Sequence, residues 1–347
     1  MQLKHVRRLC WLTLPAALAA CGGGGESTNT DVPPPVGGNT KVEAAIQTAQ
    51  NNAACRAITS FYWEIGDVSG VLASGTGGVG GPAVNATTAM NIASASKWVY
   101  GMYAAEKRGA TGLSATADVP YLNFTSGYSN FSLPSCPGLT GTVDECLEGS
   151  RGERNAIEAA AGTFHYNSGH MQKHASNLGL GSLTATGLAT EVINTLKTND
   201  PTLSLSLSYF DVQPAVAVNT DATNYARLLR KMLVGSPAPL RIASLLGRGD
   251  YQTCTLTGSP CNAAYSPTDE NWHYALGHWV EDDAATVAAG NVAYSSAGAF
   301  GFYPWVNQAR NLYGIVAREE TGGTQEGFAS ASCGQQIRLA YVTGIAR

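Results

Sequence analysis

The sequence is poor in charge. Asp, Glu, Lys and Arg make up 13% of its 347 residues, about half the share usual for a globular protein. It lacks a basic excess too: 21 Lys and Arg against 25 Asp and Glu give a formal charge of −4. Nucleic-acid binding is thus without the phosphate-neutralising charge it relies on. No apolar run is long enough to span a bilayer. Several catalytic signatures are missing as well: C-x-x-C pairs of the kind zinc sites use, H-E-x-x-H, and the G-x-S-x-G nucleophile elbow. What is abundant points to a folded, loop-rich domain. Hydrophobic residues are 44%, enough for a sizeable core at this length, while 40 Gly and 15 Pro imply many turns.

The N-terminus stands apart. Lys4, Arg7 and Arg8 precede a short apolar run, Leu9 to Ala20, which ends in Leu18-Ala19-Ala20-Cys21-Gly22. A basic start, a short apolar stretch and a small-residue end have the form of an export signal. The last five residues resemble a bacterial lipobox, which implies that Cys21 carries a lipid and becomes the mature N-terminus. Residues 1–20 would then be a lipoprotein signal peptide. Residues 21–40, rich in Gly, Pro, Ser and Thr, would be a flexible tether, leaving 41–347 as the domain. The expectation is an exported protein, periplasmic or on the cell surface, anchored to the outer membrane through Cys21. Loss of residues 1–20 removes three positive charges and no acidic residue, taking the formal charge from −4 to −7.

With Cys10 in the signal and Cys21 lipidated, Cys55, Cys136, Cys146, Cys254, Cys261 and Cys333 remain. An even number in an oxidising compartment favours disulfides, although six cysteines allow many pairings. Cys136–Cys146 and Cys254–Cys261 are near neighbours flanked by Pro or Gly and suit staples on loops. Cys55–Cys333 would then join the two ends of the domain.

Periodicity supplies a coarse outline. A helix is expected from about Lys41, a strand over Phe61–Val68 with Gly70–Gly75 as its hairpin partner, and a helix over Ser94–Arg108 closed by Gly109. From about residue 110 to 235 the chain reads as helical segments separated by long loops, the clearest being Asp221–Leu233. Strand-like stretches return at Trp272–Glu281, Ala299–Trp305 and Asn311–Arg318, before a final helix around Ala331–Thr343. This order predicts an α+β fold: an antiparallel sheet flanked by N- and C-terminal helices, with a mostly helical inserted subdomain.

Two motifs mislead. Gly75-Thr76-Gly77-Gly78-Val79-Gly80 fits G-x-G-x-x-G, but Pro82 and the β-branched residues beyond it do not open the helix that a pyrophosphate needs, so it reads as a glycine-rich turn. His170 and His174 lie four apart without the Glu of a zincin or a clear third ligand, and read as surface or packing residues.

Ser94-Ala95-Ser96-Lys97 is the arrangement with chemistry in it. Residues three apart share a helix face, which brings an amine to a hydroxyl. A serine becomes a nucleophile when a neighbour takes its proton, and a lysine can do so when burial lowers its pKa. The first helical turn also aims free backbone N–H groups at a developing oxyanion. The spacing is short enough to recur by chance, so its surroundings carry the weight.

Those surroundings are Thr88–Ala93 before the motif and Trp98-Val99-Tyr100 after it, then Phe164-His165-Tyr166-Asn167-Ser168-Gly169, Pro214–Leu229, Tyr274–Trp279 and Ser296-Ala297-Gly298-Ala299. In this order they resemble the serine β-lactamase and penicillin-binding-protein superfamily, in its class C-like and esterase branch, over residues 41–347. The resemblance implies Ser94 as acylated nucleophile, Lys97 as its base and Tyr166 as a phenol that shares the proton. It also implies an oxyanion hole from the Ser94 and Ala299 N–H groups, with Ser168, Ser296, Gly298 and Trp279 near the substrate. No metal or cofactor is implied. Trp279, Phe300, Phe302, Tyr303 and Trp305 could line the cleft or pack the sheet, the commoner fate of strand aromatics.

The departures bear on the substrate. Ser168 stands where the family often has Asn, and Ser296 where Lys or His is usual, so the cation that would hold a penicillin carboxylate is missing. Charge-assisted hydrogen bonds are about twice as strong as neutral ones. A small-molecule ester or amide is therefore favoured as substrate over a β-lactam or a D-alanyl-D-alanine peptide. A non-catalytic module that binds a cell-wall fragment is the third reading.

Overall fold

The computed structural model describes residues 40–131, 136, 138–149, 161–258, 261, 263–323 and 325–347. The expected signal peptide, the expected lipidation site Cys21 and the expected tether before Thr40 lie outside the described residues. Helix α1 (Thr40–Asn51) buries Ala44, Ala45, Thr48 and Ala49, and the short α2 (Ala53–Arg56) starts where the Asn52 side chain accepts the Ala54 amide. Strands β1 (Phe61–Gly66) and β2 (Val71–Gly77) form the predicted hairpin, and the Asp67 carboxylate accepts the Ser69 and Gly70 amides in its turn. Strand β3 (Met90–Asn91) leads into a 3-10 turn, Ala93–Ala95, and then α3 (Ser96–Arg108), which ends at Gly109 with φ +59°.

The middle of the chain holds α4 (Val119–Leu122), α5 (Val143–Gly149), α6 (Gly169–Ala175) and α7 (Ala185–Leu196). Strands β4 (Ser208–Tyr209) and β5 (Val218–Thr220) follow, pairing with β3 as a small sheet in the order β3-β5-β4. Helix α8 (Ala222–Arg230) starts where the Asp221 carboxylate accepts the Asn224 amide. The chain then returns to strands: β6 (Thr253–Cys254), β7 (His273–Ala275), β8 (His278–Glu281), the short α9 (Ala284–Ala288), β9 (Ala293–Ser295), β10 (Tyr303–Asn307) and β11 (Tyr313–Ala317). It closes with α10 (Glu326–Thr343).

Among the described residues, eight strands make one antiparallel sheet in the order β2-β1-β11-β10-β9-β8-β7-β6. Alternation along the strands splits the core into two layers. Trp305 and Val316 meet α10, where Arg338 lies over the Trp305 ring at 4.9 Å and Gly334 leaves room for Val316 and Tyr303. On the other face Phe302 meets Tyr225 of α8, and His278 stacks on Trp98 of α3. Cys55–Cys333 ties α2 to α10, and Cys136–Cys146 and Cys254–Cys261 bridge as expected. The architecture is the α+β arrangement read from the sequence.

Four boundaries differ. Trp272–Glu281 is two strands, because Leu276 and Gly277 take φ +47° and +89° and reverse the chain. Ala299–Phe302 is a turn, with Gly301 at φ +112°, so β10 begins only at Tyr303. Gly75 and Gly77 belong to β2, where the Trp63 indole and Phe61 cover them, and only the later glycines form the turn. Helix α10 begins about a turn earlier than expected.

Candidate active site

The nucleophile candidate sits at a strained junction. Ala93 adopts φ +44°, a left-handed conformation unfavourable for a residue with a Cβ, and is held there because its amide donates to Asn91 Oδ1 at 2.8 Å. The turn is pinned from several sides. Ile92 N–H donates to Val218 O, Val218 N–H to Ser96 Oγ, and the Tyr225 hydroxyl to Ala95 O. Two glycines let the β7–β8 turn press on α3: a Cβ at Gly101 would strike the Leu276 carbonyl, and one at Gly277 the Lys97 carbonyl. Ser94 and Lys97 are therefore fixed by packing on both the small sheet and the large one.

Lys97 is 1% exposed, with Nζ 3.0 Å from Ser94 Oγ and 3.2 Å from the Ala215 carbonyl. Burial alone lowers its pKa to about 7. When the amine is neutral, an N–H to Ala215 leaves its lone pair for Ser94. Tyr166 lies against the same amine, with Nζ 4.9 Å from the ring centroid. Burial pushes the phenol well above its ordinary pKa, against the neighbouring Ser94 hydroxyl, which acts in the opposite direction. Tyr166 is thus a protonated phenol at neutral pH, whereas the Lys97 amine is the group of this pair that exchanges its proton near neutrality.

Trp279 is buried at 1% exposure and stacks on the Tyr166 ring at 5.4 Å with 15° between planes. It supports the phenol and has no surface left for a substrate, so of the two readings open for it Trp279 packs the sheet, which corrects its placement among the residues near the substrate. Phe302, Tyr303 and Trp305 are core residues of the sheet.

The segment after β9 packs beside the nucleophile. Ser296 is buried, and its hydroxyl donates to the Ser94 carbonyl at 3.2 Å. Gly298 is required by the protein's own backbone: a Cβ there would strike the Ile92 carbonyl, and Gly327 packs on its other side. The close approach expected at Gly298 is thus an internal contact. Ala299 follows, half-buried, and its N–H, like that of Ser94, has no acceptor among the described residues. Ser168 is buried next to α6, and its hydroxyl caps no amide there.

The structure brings Ser94, Lys97, Tyr166, Ser296 and Gly298 together from three separate segments of the chain. Sequence reasoning missed the Ala215 carbonyl, which no side-chain pattern announces. It also missed the roles of the two histidines, whose ring nitrogens bond Ser126 and His165 O (His170) and Tyr100 and Asp118 (His174). A cavity of about 800 Å³ lies at the other end of α3, between Gly109, Leu233, Arg241 and Arg248, away from Ser94. Arg241 and Arg248 face Glu106 and Asp250, Arg310 donates to the Ala243 carbonyl, and the lining has no nucleophile–base pair among the described residues.

No family model and no curated protein matches the chain. Solved structures do. EstCE1, described as a hydrolase with promiscuous acyltransferase activity, is similar at a TM-score of 0.62 and 12% identity, covering 87% of this chain and 99% of its own. A class C β-lactamase from Rhodobacter sphaeroides is similar at a TM-score of 0.56 and 14% identity over 88% of this chain and 100% of its own. A D-stereospecific amidohydrolase from Streptomyces sp. is similar at 0.55 and 14% over 84% and 98%.

Proposed function

The chain has the fold of the β-lactamase and penicillin-binding-protein superfamily, and on that premise we propose that it is a serine hydrolase that forms an acyl-enzyme on Ser94. The observation that carries this reading is the buried Lys97 amine 3.0 Å from Ser94 Oγ. Neutral Lys97 takes the Ser94 proton as Oγ attacks the substrate carbonyl. The free N–H groups of Ser94 and Ala299 receive the oxyanion. Tyr166, still carrying its proton, donates it to the leaving group and regains one from the Lys97 ammonium. Water then releases the acyl group by the same relay run in reverse.

The substrate class follows from charge. Ser296 supplies a neutral hydroxyl that already donates to Ser94 O. Arg318, buried nearby under Gly301, bonds Ser330, Thr59 and Glu326. Beside Tyr265, whose carbonyl accepts the Tyr166 amide, a rim cavity of about 500 Å³ carries Asp269 and Glu270. These surroundings favour an uncharged carboxylic ester or small amide over a carboxylate-bearing β-lactam or D-alanyl peptide. The neighbours described as a hydrolase with promiscuous acyltransferase activity and as a D-stereospecific amidohydrolase are compatible with that choice. An exported, lipid-anchored location through Cys21 is part of the proposal and rests on the N-terminal sequence alone.

The test uses a fluorophosphonate probe, a short p-nitrophenyl ester and a chromogenic cephalosporin, with Ser94→Ala as control. Labelling and ester turnover that vanish in the variant support the reading. Cephalosporin turnover exceeding ester turnover would move the protein to the β-lactamases, and a parent protein that neither labels nor turns over would be a binding module.

A further inference from the structure

Tyr166 is not in a helix or a strand, so its position depends on how its peptide is held. Its own N–H donates to Tyr265 O at 3.1 Å, and the His165 N–H donates to Phe124 O at 3.0 Å. A third bond comes from α6: His170 Nε2 lies 3.0 Å from the His165 carbonyl, the oxygen of the very peptide that bears Tyr166. A carbonyl only accepts, so Nε2 carries the proton. Nδ1 of the neutral ring is then an acceptor, and the Ser126 hydroxyl donates to it at 2.7 Å.

The imidazole is fully buried. It stacks on Phe124 at 5.3 Å, and the Phe124 ring in turn meets Tyr166 edge-on at 5.3 Å. Four residues on, His174 anchors the other end of α6. Its Nδ1 accepts from the Tyr100 hydroxyl of α3 at 2.9 Å and its Nε2 donates to Asp118 at 2.8 Å. Tyr100 is one turn beyond Lys97 on the same helix. Helix α6 is thereby referenced at one end to the Tyr166 peptide and at the other to the helix that carries the base.

We propose that His170 is a positioning residue for the proton relay: its Nε2–H fixes the His165–Tyr166 peptide and so holds the phenol against Ser94 and Lys97. The inference rests on the serine-hydrolase reading and adds a residue to it. His170 touches no substrate, so its effect must pass through Tyr166. Burial lowers the His170 pKa to about 3, which keeps the required neutral tautomer across the working pH range.

The test is a double-mutant cycle on the full chain, read with two esters of equal acyl group, one with a p-nitrophenol and one with a poor alkoxide leaving group. A phenol that protonates the leaving group matters most when that group is poor. His170→Asn moves the amide donor away from the His165 carbonyl, whereas His170→Gln places a donor near the Nε2 position. The expected result for His170→Asn is a loss of roughly ten- to a hundredfold on the alkyl ester, with both esters compared by kcat/KM, which reports acylation rather than the shared deacylation step. KM should change little, the loss on the p-nitrophenyl ester should be smaller, and His170→Gln should recover most of the activity. In a Tyr166→Phe background His170→Asn should cost almost nothing more. Ser126→Ala, which removes the donor to Nδ1, should show a weaker form of the same pattern and serves if His170→Asn does not fold.

Losses equal on both esters, or additive with Tyr166→Phe, would overturn the positioning role while leaving the hydrolase reading intact. A parent protein that is inactive and unlabelled by a fluorophosphonate would overturn both.

Discussion

The pKa of Lys97 offers a quantitative handle on the proposed chemistry. Its amine is buried beside Ser94, and desolvation lowers its pKa from 10.5 to about 7. The folded pKa lies below the unfolded one, so the neutral, proton-accepting form grows as pH rises through 7. It is about a tenth of the protein at pH 6, about half at pH 7 and about nine-tenths at pH 8. Acylation, read as the p-nitrophenol burst or as the rate of fluorophosphonate labelling, should follow that curve. Lys97→Met removes the base while keeping an unbranched apolar stem. General-base catalysis contributes about 10²–10⁴, so the variant should fall by that factor at pH 8. The gap should shrink about tenfold at pH 6, where the parent amine is itself mostly protonated. A rising limb centred above pH 9, or a gap of constant size across pH, would refute Lys97 as the base.

Other outcomes follow from single contacts. Ser296→Lys adds a cation next to Ser94 O and should raise the ratio of cephalosporin to ester turnover; an unchanged ratio would remove charge from the account of specificity. Gly298→Ala forces a methyl into the Ile92 carbonyl and should cost about 1–3 kcal/mol, checked by denaturant unfolding together with slower labelling of Ser94. His278 is fully buried, and burial lowers its pKa to about 3 against the opposing effect of the Leu276 backbone. The folded form takes up its proton later than the unfolded form, so stability is full above about pH 6.5 and falls as pH drops towards 3. His278→Phe should flatten that acid limb, and a limb unchanged in the variant would assign it to other groups.

The parts legible in the sequence were those with local causes. The β1–β2 hairpin carries its own turn signal at Asp67–Gly70, and α3 shows its buried face in Val99, Met102 and Tyr103. Ser94 and Lys97 meet because three residues separate them on one turn of chain. The turn at Leu276–Gly277 was hidden inside an apolar run, since leucine at φ +47° is tolerated only where α3 packs against it. The same holds for Ala93, whose strain is maintained by Asn91 and β5. Trp279 and Gly298 were recognisable as special, but their reasons were tertiary: one backs Tyr166 and the other clears the Ile92 carbonyl. His170 could be spaced against His174 but not joined to Ser126, which lies 44 residues earlier.

Covalent capture tests the central claim most directly. Rapid acid quench of the protein turning over a p-nitrophenyl ester, followed by intact-mass and peptide-level mass spectrometry, should show one acyl group, placed on Ser94 and absent from Ser94→Ala. Steady turnover with no adduct, or an adduct on any other residue that survives Ser94→Ala, would contradict it.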